Sequence, residues 1–404
     1  MNPSLSLSLV ETLAVAALGL VLGSLLVRFI PVLHRLCLPE PVLGGLALCA
    51  GFTIAQARGF SIQFDTSLQT PLMIAFFLSI GWMASLRNLK RGGPDVVKFL
   101  LLCSGVLVIQ NLVGVGLAKL LGQNPLIGLL AGSVSMAGGP GTALAFAPAF
   151  EKAGLASAAP IGAACAIAGI VMGGLLGSPL SAALISRVRR LAPHAGSAST
   201  AAPESPQLSM EASAGQGVDP GQFRLHIGFF LIVMAIGVLL GRWIQSSGLT
   251  LPIYIGAMIV AAVARNLHDS RGSNRFSEEW IDQIGSVALS YFLVVATMTL
   301  QLGQLTNLAG VLVLILAAQA LLALVVAGTL VFAASGRDYD AAVMSGGFIG
   351  FMLGTTANAL ANMDAITARH GRAPRAYLVV PLVGACFVDF VNALVITFGV
   401  SLFS

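Results

Sequence analysis

The sequence predicts an all-α polytopic membrane protein made of two inverted repeats of five transmembrane helices, each repeat with a re-entrant hairpin. Three observations lead to this fold class. Of the 404 residues, 57% are hydrophobic and only 9% are charged, whereas about a quarter of the residues in soluble domains are charged. Several apolar runs reach the roughly 20 residues that a spanning helix needs. The runs also follow the same order in both halves of the chain.

The first half, residues 1–190, contains five predicted spans and one interrupted segment. Apolar runs separated by short polar loops predict spans at residues 9–27, 41–55, 71–85, 99–121 and 157–185. Residues 126–154 are also apolar, but they carry the turn sequence Gly138-Gly139-Pro140-Gly141-Thr142. We interpret this segment as a re-entrant hairpin, the first of two.

The second half, residues 223–404, repeats this layout after a linker. Residues 191–222 are rich in Ala, Ser, Pro and Gly without periodicity, which predicts a flexible cytoplasmic linker. Spans follow at residues 223–245, 251–266, 281–302, 309–334 and 375–403. Residues 345–371 form the second predicted hairpin. Their glycines and polar side chains are tolerated at membrane depth only where protein or a water-filled cavity surrounds them.

Matched residues support the repeat. Four pairs of identical residues in the two halves are separated by nearly the same number of residues. They are Gly45 and Gly256 (211 residues apart), Phe77 and Phe292 (215), Gln110 and Gln319 (209), and Gly141 and Gly354 (213). Because each half has an odd number of spans, the second half is expected to be inverted relative to the first. Inverted repeats with broken helices near the midplane are typical of secondary transporters.

The basic residues predict the orientation. With the N-terminus outside, all Lys and Arg lie on the cytoplasmic side except Arg58, Lys119, Lys152 and Arg242, as the positive-inside rule expects. Both termini are therefore predicted to be periplasmic, with the first hairpin entering from outside and the second from the cytoplasm. The basic residues are scattered through short loops, so no nucleic-acid partner is expected.

The hairpin turns are the candidate substrate site. Half-helix N-termini attract carboxylates through their free N–H groups and the helix dipole. The candidate substrate-binding residues are Gly138, Gly139, Gly141, Thr142, Gly354, Thr355, Thr356, Asn358 and Arg375. The alternative is that the small residues only allow tight helix packing. Arg375 belongs to a basic cluster at residues 369–375 that would otherwise serve as a solvated topology anchor.

A carboxylate within the last span is the candidate cation ligand. Asp389 lies in a predicted membrane helix, where a charge is costly and usually functional, and Asn392 follows on the same helical face. We predict a role in Na⁺ or H⁺ coupling, with a structural helix–helix hydrogen bond as the alternative. The other candidate metal ligands are Asn111, Asn362 and Asp364.

At these motifs the chain resembles the sodium:glutamate symporter family. The resemblance extends over nearly the whole chain outside the linker, and it is carried by segments such as Pro39-Glu40-Pro41-Val42, Gly138-Gly139-Pro140-Gly141-Thr142, Tyr339-Asp340-Ala341-Ala342-Val343 and Val391-Asn392-Ala393-Leu394-Val395-Ile396. It implies Na⁺-coupled uptake of L-glutamate across a bacterial inner membrane, with Na⁺ as the coupling ion. It also implies a homodimer in which a transport domain moves against a fixed scaffold.

Three departures from the family pattern lie at the predicted site. Pro140 occupies a position where family members carry His. Residues 346–352 have the sequence Gly-Gly-Phe-Ile-Gly-Phe-Met, where members have a Gly-His-Cys-Gly-Phe-Gly run. Asp364 replaces a neutral amide residue. A Na⁺- or H⁺-coupled carrier of di- or tricarboxylates is the alternative function, and a passive channel or membrane-embedded enzyme is a third. The sequence has no nucleophile–base pair, Walker loop or dinucleotide fingerprint in a suitable context, so we predict that the protein is not an enzyme.

Overall fold

The protein is almost entirely helical. The computed structural model describes residues 4–191, 220–246, 252–271, 276–300 and 308–403. Within these ranges, nine helices are long and apolar enough to cross a membrane. An all-α polytopic membrane protein is therefore confirmed.

The first half contains nine helices and two short strands. The strands β1 and β2 pair in parallel, which places residues 4–6 beside the segment after α3. The elements are β1 (Ser4–Ser6), α1 (Leu9–Phe29), α2 (Pro31–Arg35), α3 (Glu40–Ala57), β2 (Ser61–Gln63), α4 (Gln69–Met83), α5 (Leu86–Arg91), α6 (Gly93–Leu120), α7 (Pro125–Leu129) with a π-helical continuation (Leu130–Val134), α8 (Gly139–Lys152) and α9 (Ala158–Leu191).

The second half is helical throughout its described residues, and π-helical turns interrupt two of its long segments. The elements are α10 (Pro220–Ser246), α11 (Ile253–Ser270), α12 (Glu278–Met298), α13 (Ala309–Val326) with a π-helical turn (Ala327–Val331) leading to α14 (Phe332–Ala334), α15 (Tyr339–Leu353), α16 (Thr356–His370), α17 (Pro374–Val383) with a π-helical turn (Gly384–Val388), and α18 (Asp389–Phe403).

Several predicted boundaries differ from the structure. The helix of the second predicted hairpin begins at Tyr339, six residues before the predicted start, because Asp338 caps it by accepting the Ala341 N–H. The two ends of the predicted linker are helical, because α9 extends to residue 191 and α10 begins at residue 220. The rest of the predicted linker, residues 192–219, lies outside the described part of the chain. Helix α11 corresponds to a predicted span but is not among the nine candidates, since charged residues at its C-terminal end lower its hydropathy.

The helices form two bundles, each drawn from both halves of the chain. Helices α1, α3, α4, α10, α11 and α12 pack together, and we call this group the support bundle. Helices α6 to α9 and α13 to α18 pack together, and we call this group the hairpin bundle. The bundles meet where α8, α18 and the π-helical turn before α18 contact α4, α11 and α12. Both interrupted segments therefore belong to one bundle.

An equivalent close contact between glycines occurs in the support bundle in each half of the chain. In the first half, a Cβ on Gly44 of α3 would overlap the backbone of Gly19 in α1. In the second, a Cβ on Gly256 of α11 would overlap the backbone of Gly237 in α10. Small residues permit this approach of helix backbones inside a membrane.

Candidate functional site

Both predicted hairpins contain an interruption of the helix near their turn glycines. In the first, the backbone leaves helical geometry at Gly132 (φ −87°, ψ −135°), and a new helix begins at Gly139. In the second, α15 ends at Leu353, and Gly354 is non-helical (φ −146°, ψ −112°) before α16 begins. Each interruption leaves N–H groups at the start of the following helix without intrahelical partners.

The two interruptions lie against each other. A Cβ placed on Gly139 would lie 3.6 Å from the carbonyl oxygen of Gly354 and 3.6 Å from Cγ2 of Thr355. The φ of Gly139 is +63°, a left-handed conformation that favours glycine. The structure therefore brings Gly139 of the first predicted hairpin close to Gly354 and Thr355 of the second.

Helix α9 packs against both interruptions through its glycines. A Cβ on Gly169 would overlap the carbonyl oxygen of Leu353 and would lie 2.9 Å from Cε of Met136. One turn later, a Cβ on Gly173 would lie 3.2 Å from the carbonyl oxygen of Gly350. Sequence reasoning missed these residues, although glycines at 169, 173 and 177 recur every fourth position and so lie on one face of the helix.

The amides of the second hairpin attach α16 to α9. The buried Asn358 side chain donates from Nδ2 to the carbonyl oxygen of Ile170 (3.0 Å), and its Oδ1 accepts from the Thr355 hydroxyl (2.8 Å). Asn362 donates to the carbonyl oxygen of Gly173 (2.9 Å) and accepts from the Ser178 hydroxyl (3.2 Å). These hydrogen bonds hold the start of α16 in place.

A second polar cluster surrounds Ser133 in the first hairpin. Oδ1 of Asn111 accepts the Ser133 N–H (2.8 Å), and Nδ2 of Asn392 donates to the Ser133 carbonyl oxygen (3.0 Å). These bonds orient both amides. Three buried atoms of the cluster have no hydrogen-bond partner within the described residues, namely Nδ2 of Asn111, Oγ of Ser133 and Oδ1 of Asn392. Buried polar atoms without partners are rare in native proteins, so this cluster is a candidate ligand site.

Two glutamines extend this cluster towards the second interruption. Gln110 donates from Nε2 to the carbonyl oxygen of Met352 (3.0 Å), and Gln319 donates from Nε2 to the carbonyl oxygen of Gln110 (2.7 Å). Both Oε1 atoms are buried and have no hydrogen-bond partner in the described part of the chain. The interior of the hairpin bundle thus contains several neutral oxygens that could coordinate a hard cation.

Asp389 lies directly after the π-helical turn of the last segment. Its half-buried carboxylate forms no hydrogen bond or ion pair within the residues that the structure describes, and Asn392 follows one turn later. The same turn approaches the second hairpin, since a Cβ on Gly384 would lie 3.5 Å from Oγ1 of Thr356. No group of three or more His, Cys, Asp or Glu side chains with metal-binding geometry occurs among the described residues. A cation here would therefore depend on one carboxylate and neutral oxygens.

Gly141 and Thr142 occupy the start of α8, where the hairpin bundle meets the support bundle. A Cβ on Gly141 would lie 3.0 Å from Cδ1 of Leu289 and 3.5 Å from Cε1 of Phe76. Thr142 is buried, and a Cβ on Gly138 would lie 2.6 Å from its Cβ. The first interruption therefore faces the contact between the bundles.

Arg375 lies at the opposite end of the second hairpin from its interruption, and Asp364 lies in the middle of α16, eight residues after its start. Nη2 of Arg375 pairs with the carboxylate of Asp338 (2.9 Å), the cap at the start of α15. The exposed Asp364 accepts a hydrogen bond from the Tyr377 hydroxyl. The structure does not bring these two residues to the meeting point of the interruptions.

Comparisons with known proteins agree on one family. The family model described as sodium/glutamate symporter matches residues 5–372. The chain is 37% identical over 398 residues to the sodium/glutamate symporter of Escherichia coli strain K12, covering 96% of each chain. It is also 37% identical over 401 residues to the sodium/glutamate symporter of Haemophilus influenzae, again covering 96% of each chain.

Proposed function

Because the chain belongs to the sodium/glutamate symporter family, we propose that it is a secondary active transporter that couples the uptake of L-glutamate to Na⁺. The contact between Gly139 and Gly354 is the observation that carries this proposal. Helices α8 and α16 both begin at this contact, so two helix N-termini, whose first N–H groups lack intrahelical partners, lie close together. Two such ends suit a substrate with two carboxylates.

The substrate contacts follow from this arrangement. The carboxylates of glutamate would accept hydrogen bonds from N–H groups in the first turns of α8 and α16, while the hydroxyls of Thr142 and Thr356 would add neutral hydrogen bonds. The Thr355 hydroxyl already donates to Asn358, so it would instead hold the start of α16 in position. Pro140 has no N–H but is tolerated in the first turn of a helix. Arg375 is already paired with Asp338, so we assign substrate charge compensation to the helix ends.

Na⁺ would bind beside this site, at Asp389 and the Ser133 cluster. Asp389 would supply the negative charge, and Asn392 and Ser133 would supply neutral oxygens that have no hydrogen-bond partner in the described part of the chain. Asn111 would position Ser133 by accepting its N–H. Asn362 and Asp364 have other hydrogen-bond partners, so they contribute less to this proposal.

Transport would require the site to open to each side of the membrane in turn. We propose that the two halves are inverted repeats and that the segments at residues 126–154 and 345–371 are re-entrant hairpins. The repeated contacts at Gly44 and Gly256 support the repeat. Movement of the hairpin bundle against the support bundle, at the contact of Gly141 with Leu289, would then carry the site across. We further propose a homodimer in the bacterial inner membrane with both termini periplasmic.

Uptake into proteoliposomes tests this function. We expect labelled L-glutamate to accumulate above its external concentration when Na⁺ is higher outside, and not when choline replaces Na⁺. Equal accumulation in choline would contradict Na⁺ coupling, and equilibration without accumulation would indicate a channel. Family membership favours glutamate over di- and tricarboxylates, so excess malate or citrate should leave the uptake of labelled glutamate unchanged.

A further inference from the structure

An apolar groove runs along the outside of the contact between the two bundles. Its volume is about 470 Å³, within the roughly 300–1,000 Å³ typical of small-molecule sites. One wall is formed by successive turns of α11, and the other walls are formed by the start of α5 and by α18. The lining residues are Leu86, Ile259, Ala262, Val263, Asn266, Leu267, Ser270 and Phe390.

The polar side chains in this groove already have partners. Asn266 accepts the N–H of Leu86 (2.8 Å) and donates to the carbonyl oxygens of Ala84 (3.0 Å) and Ala262 (2.8 Å). Ser270 donates to the carbonyl oxygen of Leu267 (2.9 Å). The groove therefore offers an occupant mainly apolar contacts, which suit a hydrocarbon chain and not a charged amino acid.

The length of the groove matches one leaflet of a bilayer. Ile259 and Ser270 are eleven residues apart on one helix, which corresponds to about 16 Å at a rise of about 1.5 Å per residue. A bilayer hydrocarbon core is about 30 Å thick, so one leaflet is about 15 Å deep. The outer wall is open, because Val263 and Leu267 are more than half exposed.

Basic residues lie at the end of the groove near Ser270. Arg87 follows Leu86, Arg271 follows Ser270, and neither forms an ion pair within the described residues. The nearby carboxylate of Asp269 is already bound by the Ser85 hydroxyl (2.5 Å) and by the buried Arg265 (3.1 Å). Asp269 also attracts Arg87, and Arg265 pairs with Glu278 as well, so Arg87, Arg265 and Arg271 outnumber these two carboxylates by one positive charge.

We propose that the groove binds an anionic glycerophospholipid, with one acyl chain between α11 and Phe390 and the phosphate at Arg87 and Arg271. Basic residues at a membrane surface attract anionic lipids, and the groove provides a leaflet-deep surface for the chain. The bound lipid touches both bundles, since Phe390 belongs to the hairpin bundle and α11 to the support bundle.

Native mass spectrometry of the detergent-purified full-length protein tests the binding. We expect one phosphatidylglycerol per chain to remain bound in the presence of excess phosphatidylcholine. In an Arg87→Gln/Arg271→Gln variant, the affinity for phosphatidylglycerol should fall about thirtyfold, the loss expected for two basic residues beside an anionic headgroup. Arg58→Gln, which removes an exposed basic residue elsewhere, should retain wild-type affinity.

A second variant tests the acyl chain separately. Val263→Trp fills the groove at an exposed position, so it should reduce phosphatidylglycerol binding at least fivefold without unfolding the protein. Wild-type binding in either the double variant or Val263→Trp would overturn the proposal. Disulfide crosslinking of two Val263→Cys chains in native membranes would also overturn it, because a second copy would then cover the groove. These binding measurements do not require the protein to transport glutamate.

Discussion

The two interrupted segments satisfy their polar groups in different ways. In the second, Asn358 and Asn362 bond to the backbone of α9, and their side-chain nitrogens and oxygens all have partners. In the first, the amides around Ser133 hold its backbone but leave buried polar atoms unpaired. Because an unpaired buried polar atom costs free energy, we infer that the second segment is anchored and that the first is arranged for a ligand.

The largest effect is expected at the contact between the segments. Gly354→Ala places a methyl group 2.9 Å from the carbonyl oxygen of Gly350 and 3.2 Å from Cα of Ile170, so the second interruption must shift. We expect the initial rate of Na⁺-driven glutamate uptake to fall at least tenfold. Gly116→Ala is the matched control, since its added Cβ meets no atom within 4 Å. Wild-type uptake by Gly354→Ala would show that the contact is not needed.

Asp389 should have the next largest effect. Asp389→Asn removes the charge and keeps the shape, so we expect uptake at saturating glutamate to fall at least tenfold and Na⁺ activation to weaken. Asp95→Asn serves as the control, because it removes an exposed carboxylate whose one ion pair among the described residues is with Lys98. If Asp389→Asn kept the wild-type Na⁺ dependence, Asp389 would not be a coupling residue.

A pair of alanine variants tests the difference between anchoring and ligand binding. Asn358→Ala removes two hydrogen bonds, one to the Ile170 carbonyl and one from the Thr355 hydroxyl. We therefore expect a loss of about 1–3 kcal/mol of stability, seen as a lower Tm in detergent. Ser133→Ala removes a buried hydroxyl that has no hydrogen-bond partner among the described residues, so the Tm without Na⁺ should be unchanged or higher. The Na⁺ concentration for half-maximal uptake should nevertheless rise several-fold. A large fall in the Na⁺-free Tm of Ser133→Ala would contradict this assignment.

The smallest effect is expected at the far end of the second segment. Arg375 and Asp338 form a partly exposed ion pair, and such pairs contribute about 0–1 kcal/mol. Arg375→Gln should therefore change the Tm slightly and leave the KM for glutamate within about twofold of wild type. A KM raised more than tenfold would instead restore Arg375 as a substrate ligand, as the sequence analysis predicted.

The positions of the helix interruptions could be predicted from the sequence, but the hydrogen-bond partners of the amides around them could not. Glycines and polar residues inside apolar runs indicated where both helices are interrupted, because backbone in a membrane must satisfy its own hydrogen bonds. Asp389 was selected as a candidate because a carboxylate in a spanning helix is rare, and its role stays a prediction. The partners of Asn358 and Asn362 were not predictable, since they are backbone carbonyls on α9 that only the tertiary packing brings near. The different roles of the two segments follow from those partners.

The most direct test of the substrate site is a density map of the protein with bound Na⁺ and L-glutamate. We expect glutamate density between the N-termini of α8 and α16, in contact with the backbone around Gly139 and Gly354, and Na⁺ near Asp389 and Asn392. Glutamate density elsewhere, or continuous helices through residues 126–154 and 345–371, would contradict the account.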